Sequence, residues 1–406
     1  MQKEKLVPEI RFKGFEGKWV EYELGSLYSF LKGSNLSQDS FYYSNAKKAI
    51  AYGHLYTIYG PVINAVHLSS NEKTSLISKE NDLLFPGSST VPLGTAQANA
   101  IMLNGIKLGA DIICARPIKD NVDSQFVSYQ INAQKYKLFP IISGTTISHM
   151  YASGLKNTKW KFTALNEQST ISDFFNNLLI LIQSQELKLK KLNEVKQSLL
   201  NKMFASENQK FPEIRFKGFD EPWKLKKFSD LYNCNNEKNI NIRYTEKNII
   251  SVANMYFKNE QKISNTEYLK SYNIFHLGDI AYEGHKSANY RYGRFVVNTI
   301  GSGIVSHVFE VFKPVMKEYD LYFWKYYINN ENIMRNVLRD STKSATMMAA
   351  LVKKDLSNQF IKTTSIVEQQ KIGAFFSSLD SLIRSQELKL EKLNNIKQAL
   401  LEKMFC

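Results

Sequence analysis

Apolar residues recur in steps of four and three along two widely separated stretches of this 406-residue chain. The first stripe runs Leu178, Ile182, Gln185, Leu189, Leu192, Lys196, Leu199 and Met203. The second runs Leu379, Ile383, Gln386, Leu390, Leu393, Lys397, Leu400 and Met404. A 3.5-residue period held over several turns is the seam of a coiled coil, so the spacing predicts long helices over 163–204 and 361–406. A helix of about 35–40 residues within each range is roughly 50–60 Å long at 1.5 Å per residue. The polar exceptions, Gln185 with Gln386 and Lys196 with Lys397, stand at matching positions, where polar side chains lower stability but set register and partner. The two stripes can bury each other in either a parallel or an antiparallel sense. The competing reading is a helix that packs only on its own globular domain.

Outside the helices the period changes. Residues 17–162 and 220–360 are rich in Tyr, Phe, Ile and Val, broken by Gly, Asn, Ser and Pro. Segments such as "AIMLNGIKLGADIICARPI" and "RFVVNTIGSGIVSHVFEVFKP" predict strands joined by tight turns. Each insert is therefore expected to be a compact mixed α/β domain. "ENDLLFPGSS" at Glu80–Ser89 parallels "LGDIAYEGHK" at Leu277–Lys286, with Asp82 matching Asp279, which predicts one fold with diverged loops.

The frame around the inserts is repeated more closely. "PEIRFKGF" stands at Pro8–Phe15 and again at Pro212–Phe219, and "SQELKLKKLNEVKQSLLNKMF" at Ser184–Phe204 returns as "SQELKLEKLNNIKQALLEKMF" at Ser385–Phe405. The order is thus lead-in 1–16, insert 17–162, helix 163–204, repeated lead-in 205–219, insert 220–360, helix 361–406. Such self-similarity predicts a pseudo-two-fold internal repeat.

Composition narrows the partner. The chain is 43% hydrophobic and 22% charged, an ordinary globular balance, with a formal net charge of +15 that favours a polyanion. Cys114, Cys234 and Cys406 are too widely spaced for a disulfide framework or a zinc site and suit a reducing cytosol. "MQKEKLVPEIRFKGF" has no apolar signal region, and "LLILI" at Leu178–Ile182 is too short to cross a bilayer. A cytoplasmic protein without a membrane role is expected.

Catalytic patterns are missing. There is no phosphate-cradling G-x-x-x-x-G-K-[ST] loop, no G-x-G-x-x-G after a strand, and His54, His67, His149, His276, His285 and His307 lack metal-ligand spacing. Asp82 and Asp279 read as turn or capping residues. The expectation is a chain with no catalytic residue, no metal and no cofactor of its own. Binding chemistry is better represented, because phosphate contacts give affinity and base-edge contacts give sequence. "EGHKSANYRYGR" offers His285, Lys286, Asn289, Arg291 and Arg294; Arg can bind guanine and Asn adenine through paired hydrogen bonds. Ser88, Ser89 and Thr90 lie in a Gly/Ser/Thr loop. The stretches before the two helices add Thr145, Thr146, His149 and Lys156 in the first copy, and Lys343, Ser344, Lys353 and Lys354 in the second.

The duplicated order resembles a family. Two variable domains, each followed by a near-identical helix opening with Glu167, Gln168, Ile171, Phe174 and Phe175, or Glu368, Gln369, Ile372, Phe375 and Phe376, look like the specificity subunit of type I restriction–modification enzymes. The lead-ins reaching Trp19 and Trp223, and "GDI" at Gly278–Ile280 against "NDL" at Asn81–Leu83, are similar to that family too. The resemblance implies two target-recognition domains separated by a long antiparallel two-helix coiled coil, each reading one half of a split, asymmetric sequence in double-stranded DNA. It also implies two modification (methyltransferase) subunits, and restriction (translocase and nuclease) subunits in the full complex. Adenine methylation, S-adenosylmethionine, ATP and Mg belong to those partners, and the Asn-Pro-Pro-aromatic tetrapeptide of amino-methyltransferases is absent here. Phe174/Phe175 and Phe375/Phe376 face the modification subunits or pack on the adjacent domain. A free-standing bipartite DNA-binding regulator and a coiled-coil adaptor are the alternative functions.

Overall fold

Along both long helices the periodic stripe is the covered face. In the computed structural model the helices span Leu165–Lys202 and Ile366–Met404, and residues 6–91, 93–235, 237–258, 266–344 and 347–406 are described. The first five residues of the lead-in lie outside the described residues. Leu178, Ile182 and Ile383 are buried, while Leu189, Leu192, Leu199, Leu379, Leu390, Leu393 and Leu400 are half-buried, each with at least one exposed neighbour in the chain. Gln185 and Gln386 follow the same stripe, and the Oε1 atom of each is buried without a hydrogen-bond partner.

The chain divides into two units, and the division cuts through both helices: residues 1–186 with 388–406, and residues 187–387. Unit 1 therefore holds the start of the first helix and the end of the second. In its core Phe175, Leu178 and Ile182 share one cluster with Met404 and Phe405, and Leu390, Leu393 and Leu400 pack against it. Unit 2 holds the converse halves, with Ile372 and Phe376 clustered with Met203 and Phe204. A start against an end, in each unit, is the antiparallel sense.

The same four rings build both cores. Trp19, Phe126, Phe175 and Phe405 meet in unit 1, with Phe175 stacked on Phe405 at 6.0 Å. Trp223, Phe323, Phe376 and Phe204 take those places in unit 2, with Phe204 stacked on Phe376 at 5.7 Å. Each such side chain contributes about 1.5–3 kcal/mol when fully buried. Phe174 and Phe375 are half-buried, edge-on to Phe12 and Phe216 of the lead-ins. The phenylalanine pairs thus pack on their own units.

The repeated lead-in has a mechanical role. A helix leaves its last carbonyls unbonded; Ile10 N–H donates to Lys403 O at 3.0 Å and Ile214 N–H to Lys202 O at 2.9 Å. One residue further on, Arg11 grips Glu167 with its Nε and Nη2, both at 2.7 Å, and Arg215 grips Glu368 at 2.7 and 2.8 Å. Thr163 and Thr364 donate to the same carboxylates. The adjacent Gln168 and Gln369 accept the amides of Asp123 and Asp320, which cap the helices Ser124–Ala133 and Leu321–Ile328.

On this frame sits a mixed sheet. In unit 1 the strand order is Tyr28–Lys32, Ile112–Pro117, Asp82–Pro86, Asn99–Ile101 and Val62–Ile63, antiparallel except for the last pair. In unit 2 it is Tyr232–Asn235, Glu310–Pro314, Ile280–Glu283 and Arg294–Val297, all antiparallel. Asp82 and Asp279 are buried turn residues: each accepts the amide three residues before it, from Lys79 at 2.8 Å and His276 at 3.0 Å.

Candidate nucleic-acid interface

In both units the strand that begins at or just after the matched aspartate runs into a glycine, and there the two sequence-predicted regions meet. Met150 N–H donates to Gly87 O at 2.9 Å in unit 1, and Ala349 N–H to Gly284 O at 2.8 Å in unit 2. A side chain at either glycine would collide: an added Cβ lies 2.8 Å from Asp111 O at Gly87 and 2.5 Å from Ala349 O at Gly284. The hairpin preceding each long helix is thereby laid against the loop that follows the aspartate strand.

In unit 1 the pairing continues as Ser89 with Ser148 and Ser88 with His149. Ser143 and His149 exchange both backbone hydrogen bonds, at 3.0 and 2.7 Å, so Gly144–Ile147 form the tip. Gly144 has φ +97°, and a Cβ there would lie 2.0 Å from Ile147 O, so only glycine fits. Thr145 and Thr146 are exposed on this tip, as is Thr90 on the neighbouring loop. His149 is half-buried and stacked on the exposed Tyr151 at 6.3 Å. Lys156 is exposed at the end of the short helix Ala152–Lys156, its ammonium 5.9 Å from the Phe30 ring.

Ser88 and Ser89 correct the sequence reading. Both are buried; Ser88 donates to Asp111 Oδ2 at 3.0 Å, and Ser89 bonds the backbone of Val91. Their hydroxyls are satisfied inside the loop and hold its shape. Local composition marked the loop but not which of its hydroxyls faces inward.

In unit 2 the hairpin strands are Thr342–Ser344 and Ala349–Leu351. Beside them runs the loop 284–293, closed by a Ser287–Tyr290 turn and by Gly293 at φ +76°. His285, Asn289 and Arg291 are exposed, as is Lys343 on the hairpin; Lys286 is half-buried, its amide bonded to Met347 O at 3.2 Å. Ser344 ends its strand. Arg294 is a second correction: Nε binds Glu283 at 2.6 Å, Nη2 binds Ala253 O, and the guanidinium lies over Tyr290 at 4.8 Å. It braces the loop, with its side chain about one-fifth exposed (21%). Lys353 pairs with Glu310 at 2.6 Å, and Lys354 is exposed next to it on the short helix Lys353–Ser357.

Sequence reasoning sought hydrogen-bond donors and so passed over the exposed apolar side chains of these tips: Val91, Leu93, Ile147, Met347 and Met348. Their signal was an apolar residue inside a Gly/Ser/Thr loop, where no core position is expected.

Among the described residues there is no cluster of three or more His, Cys, Asp or Glu that could hold a metal, and no helix long and apolar enough to cross a membrane. Each unit instead presents one hairpin and one loop on the same backbone scaffold, uncharged at the tip in unit 1 and basic in unit 2.

Solved structures share the whole fold. The S subunit of a type I restriction–modification system from M. genitalium is similar over 98% of this chain and 99% of its own, with a TM-score of 0.60 at 13% identity. A chain from a type I R-M system solved for its complex assembly and conformational transition is similar over 95% and 97%, with a TM-score of 0.52 at 14% identity. A family model for the type I restriction modification DNA specificity domain matches twice, over residues 16–197 and 220–395. The chain, built on one frame used twice, belongs to that family of DNA specificity domains.

Proposed function

We propose that the chain reads a split, asymmetric DNA sequence, one half through each unit, and directs adenine methylation and restriction by partner subunits in the cytoplasm. The observation that carries this reading is the contrast within the repeat. The Arg–Glu grips, ring clusters and glycine crossings are the same in both units, while the hairpin and loop side chains differ. Equal frames with unequal tips suit two different half-sites. The length of the shared helices, 38 and 39 residues, sets the unspecified spacer between them.

A second duplicated feature supports two identical protein partners. Leu181, Leu388 and Ile396 are exposed in unit 1, and their repeat equivalents Leu382, Leu187 and Val195 are exposed in unit 2. Each unit offers the same apolar triplet off the seam, which fits one modification subunit per unit. S-adenosylmethionine, ATP and Mg are supplied on the partners. A free-standing regulator would not need these triplets, and an adaptor would not need the diverged tips.

The reading is tested by exchanging residues 17–162 for the corresponding domain of another family member and mapping methylated adenines in cells that also make the partners. One half of the motif changes and the other is retained; a change in both halves, or in neither, contradicts the assignment.

A further inference from the structure

Two exposed apolar side chains stand on the returning side of the unit 2 hairpin. Met347 is 67% exposed and Met348 48%. Neither belongs to a loose end: Lys286 N–H binds Met347 O, His285 pairs with Met348, and Ala349 N–H binds Gly284 O. The backbone thus holds two adjacent thioethers outward.

Register identifies what they replace. Gly87 and Gly284 receive the amides of Met150 and Ala349, so Ser148 and His149 of unit 1 occupy the places of Met347 and Met348. The same scaffold carries a polar pair in one unit and an apolar pair in the other. His285 pairs with Met348, and the same hairpin and loop carry Lys343, Asn289 and Arg291, all four of these polar side chains exposed. A cationic surround selects a polyanion, and exposed apolar surface calls for a covering partner. A duplex offers apolar surface at the thymine methyls of its major groove and on the faces of its bases, and methionine is among the side chains that reach those faces by opening a base step.

We propose, resting on the DNA-reading function above, that Met347 and Met348 form a wedge that enters one base step of the half-site read by unit 2, unstacking and kinking it. Pyrimidine–purine steps open at least cost, so that half-site contains a TA or CA/TG step at the wedge. Unit 1, with Ser148 and His149 at the same places, leaves the corresponding step of its half-site stacked.

The test uses the full chain in complex with its modification subunits, bound to a duplex carrying the split motif found by methylation mapping. 2-Aminopurine replaces single bases across both halves, with the methylated adenines left natural. Binding is expected to raise fluorescence severalfold at one step of the unit 2 half. The rise disappears in Met347→Ser/Met348→Ser and is retained in Met347→Leu/Met348→Leu, which keeps the apolar bulk. No rise at any step of that half, or a rise that survives the double serine variant, overturns the wedge while leaving sequence reading in place. Failure of the unaltered complex to prefer this duplex over a scrambled one overturns both.

Discussion

Arg11 and Glu167 stand 156 residues apart in the chain and meet in a two-pronged ion pair whose carboxylate is almost wholly buried. Arg215 and Glu368 repeat the arrangement. Each pair ties a lead-in to the first turn of a long helix, where a negative charge also suits the helix dipole. Removing one member of a buried pair leaves a charge without compensation. Arg11→Ala and Arg215→Ala are each expected to lower stability by about 3–5 kcal/mol, read from denaturant midpoints. A loss below about 1 kcal/mol, the size of an exposed pair, contradicts the role.

Lys196 and Asp380 give the frame one unequal element. Lys196 lies 2.6 Å from Asp380, which also accepts from Lys325 at 3.1 Å and Tyr326 at 2.6 Å. Burial pushes the Asp380 carboxyl up, but the hydrogen bonds from Lys196, Tyr326 and Lys325 together hold it below the ordinary value. A depressed carboxylate contributes stability that is complete above its unfolded value of about 4 and lost as pH falls through the folded value. Asp380→Asn is expected to cost about 1–3 kcal/mol at neutral pH, with the difference from the parent closing below about pH 4. Melting curves across pH 3–7 measure it.

Asp279 behaves in the opposite sense. Its counterpart Asp82 has Arg116 at 2.7 Å, whereas Asp279 accepts from the amides of His276 and Asn235, and burial outweighs them to raise its carboxyl above the ordinary value. A raised carboxylate loses stability as pH climbs from the unfolded value through the folded one. Asp279→Asn keeps an acceptor for both amides and is expected to melt higher than the parent at pH 7. The two proteins converge below about pH 4. A lower melting point at neutral pH contradicts the assignment.

The tips respond differently from the frame. At Gly144 an added Cβ has no room, so Gly144→Ala distorts the unit 1 tip at a cost of about 1–2 kcal/mol. Recognition of one half-site falls while the other persists, as competition binding with half-site mutants shows. In unit 2, Arg291→Ala and Lys343→Ala are each expected to reduce the slope of log affinity against log salt by about 0.9, the signature of one lost phosphate contact. An unchanged slope removes the residue from the interface.

Patterning revealed the frame because its causes are periodic or repeated. The seam positions recur every 3.5 residues, and the lead-ins share the eight residues PEIRFKGF verbatim, so long helices and a two-fold plan are visible before any contact is known. The grip of Arg11 on Glu167 joins distant segments and leaves no local trace. The tips were legible as regions but not as residues. Ser88 and Thr90 share one loop and one chemistry, yet only the sheet's register turns Ser88 inward. Arg294 has the composition of a base reader, but Glu283 across the ladder claims it. Met347 and Met348 went unmarked because apolar residues are expected in cores, and exposure is a tertiary property.

The central claim, one frame presenting two unlike readers, is tested most directly by single-base mapping of N6-methyladenine in cells making this chain with its modification subunits. The account predicts one motif of two short specified parts with an unspecified spacer, the two parts unrelated by inversion, and no such methylation when the chain is deleted. A palindromic or uninterrupted motif, or the same methylation without the chain, would contradict it.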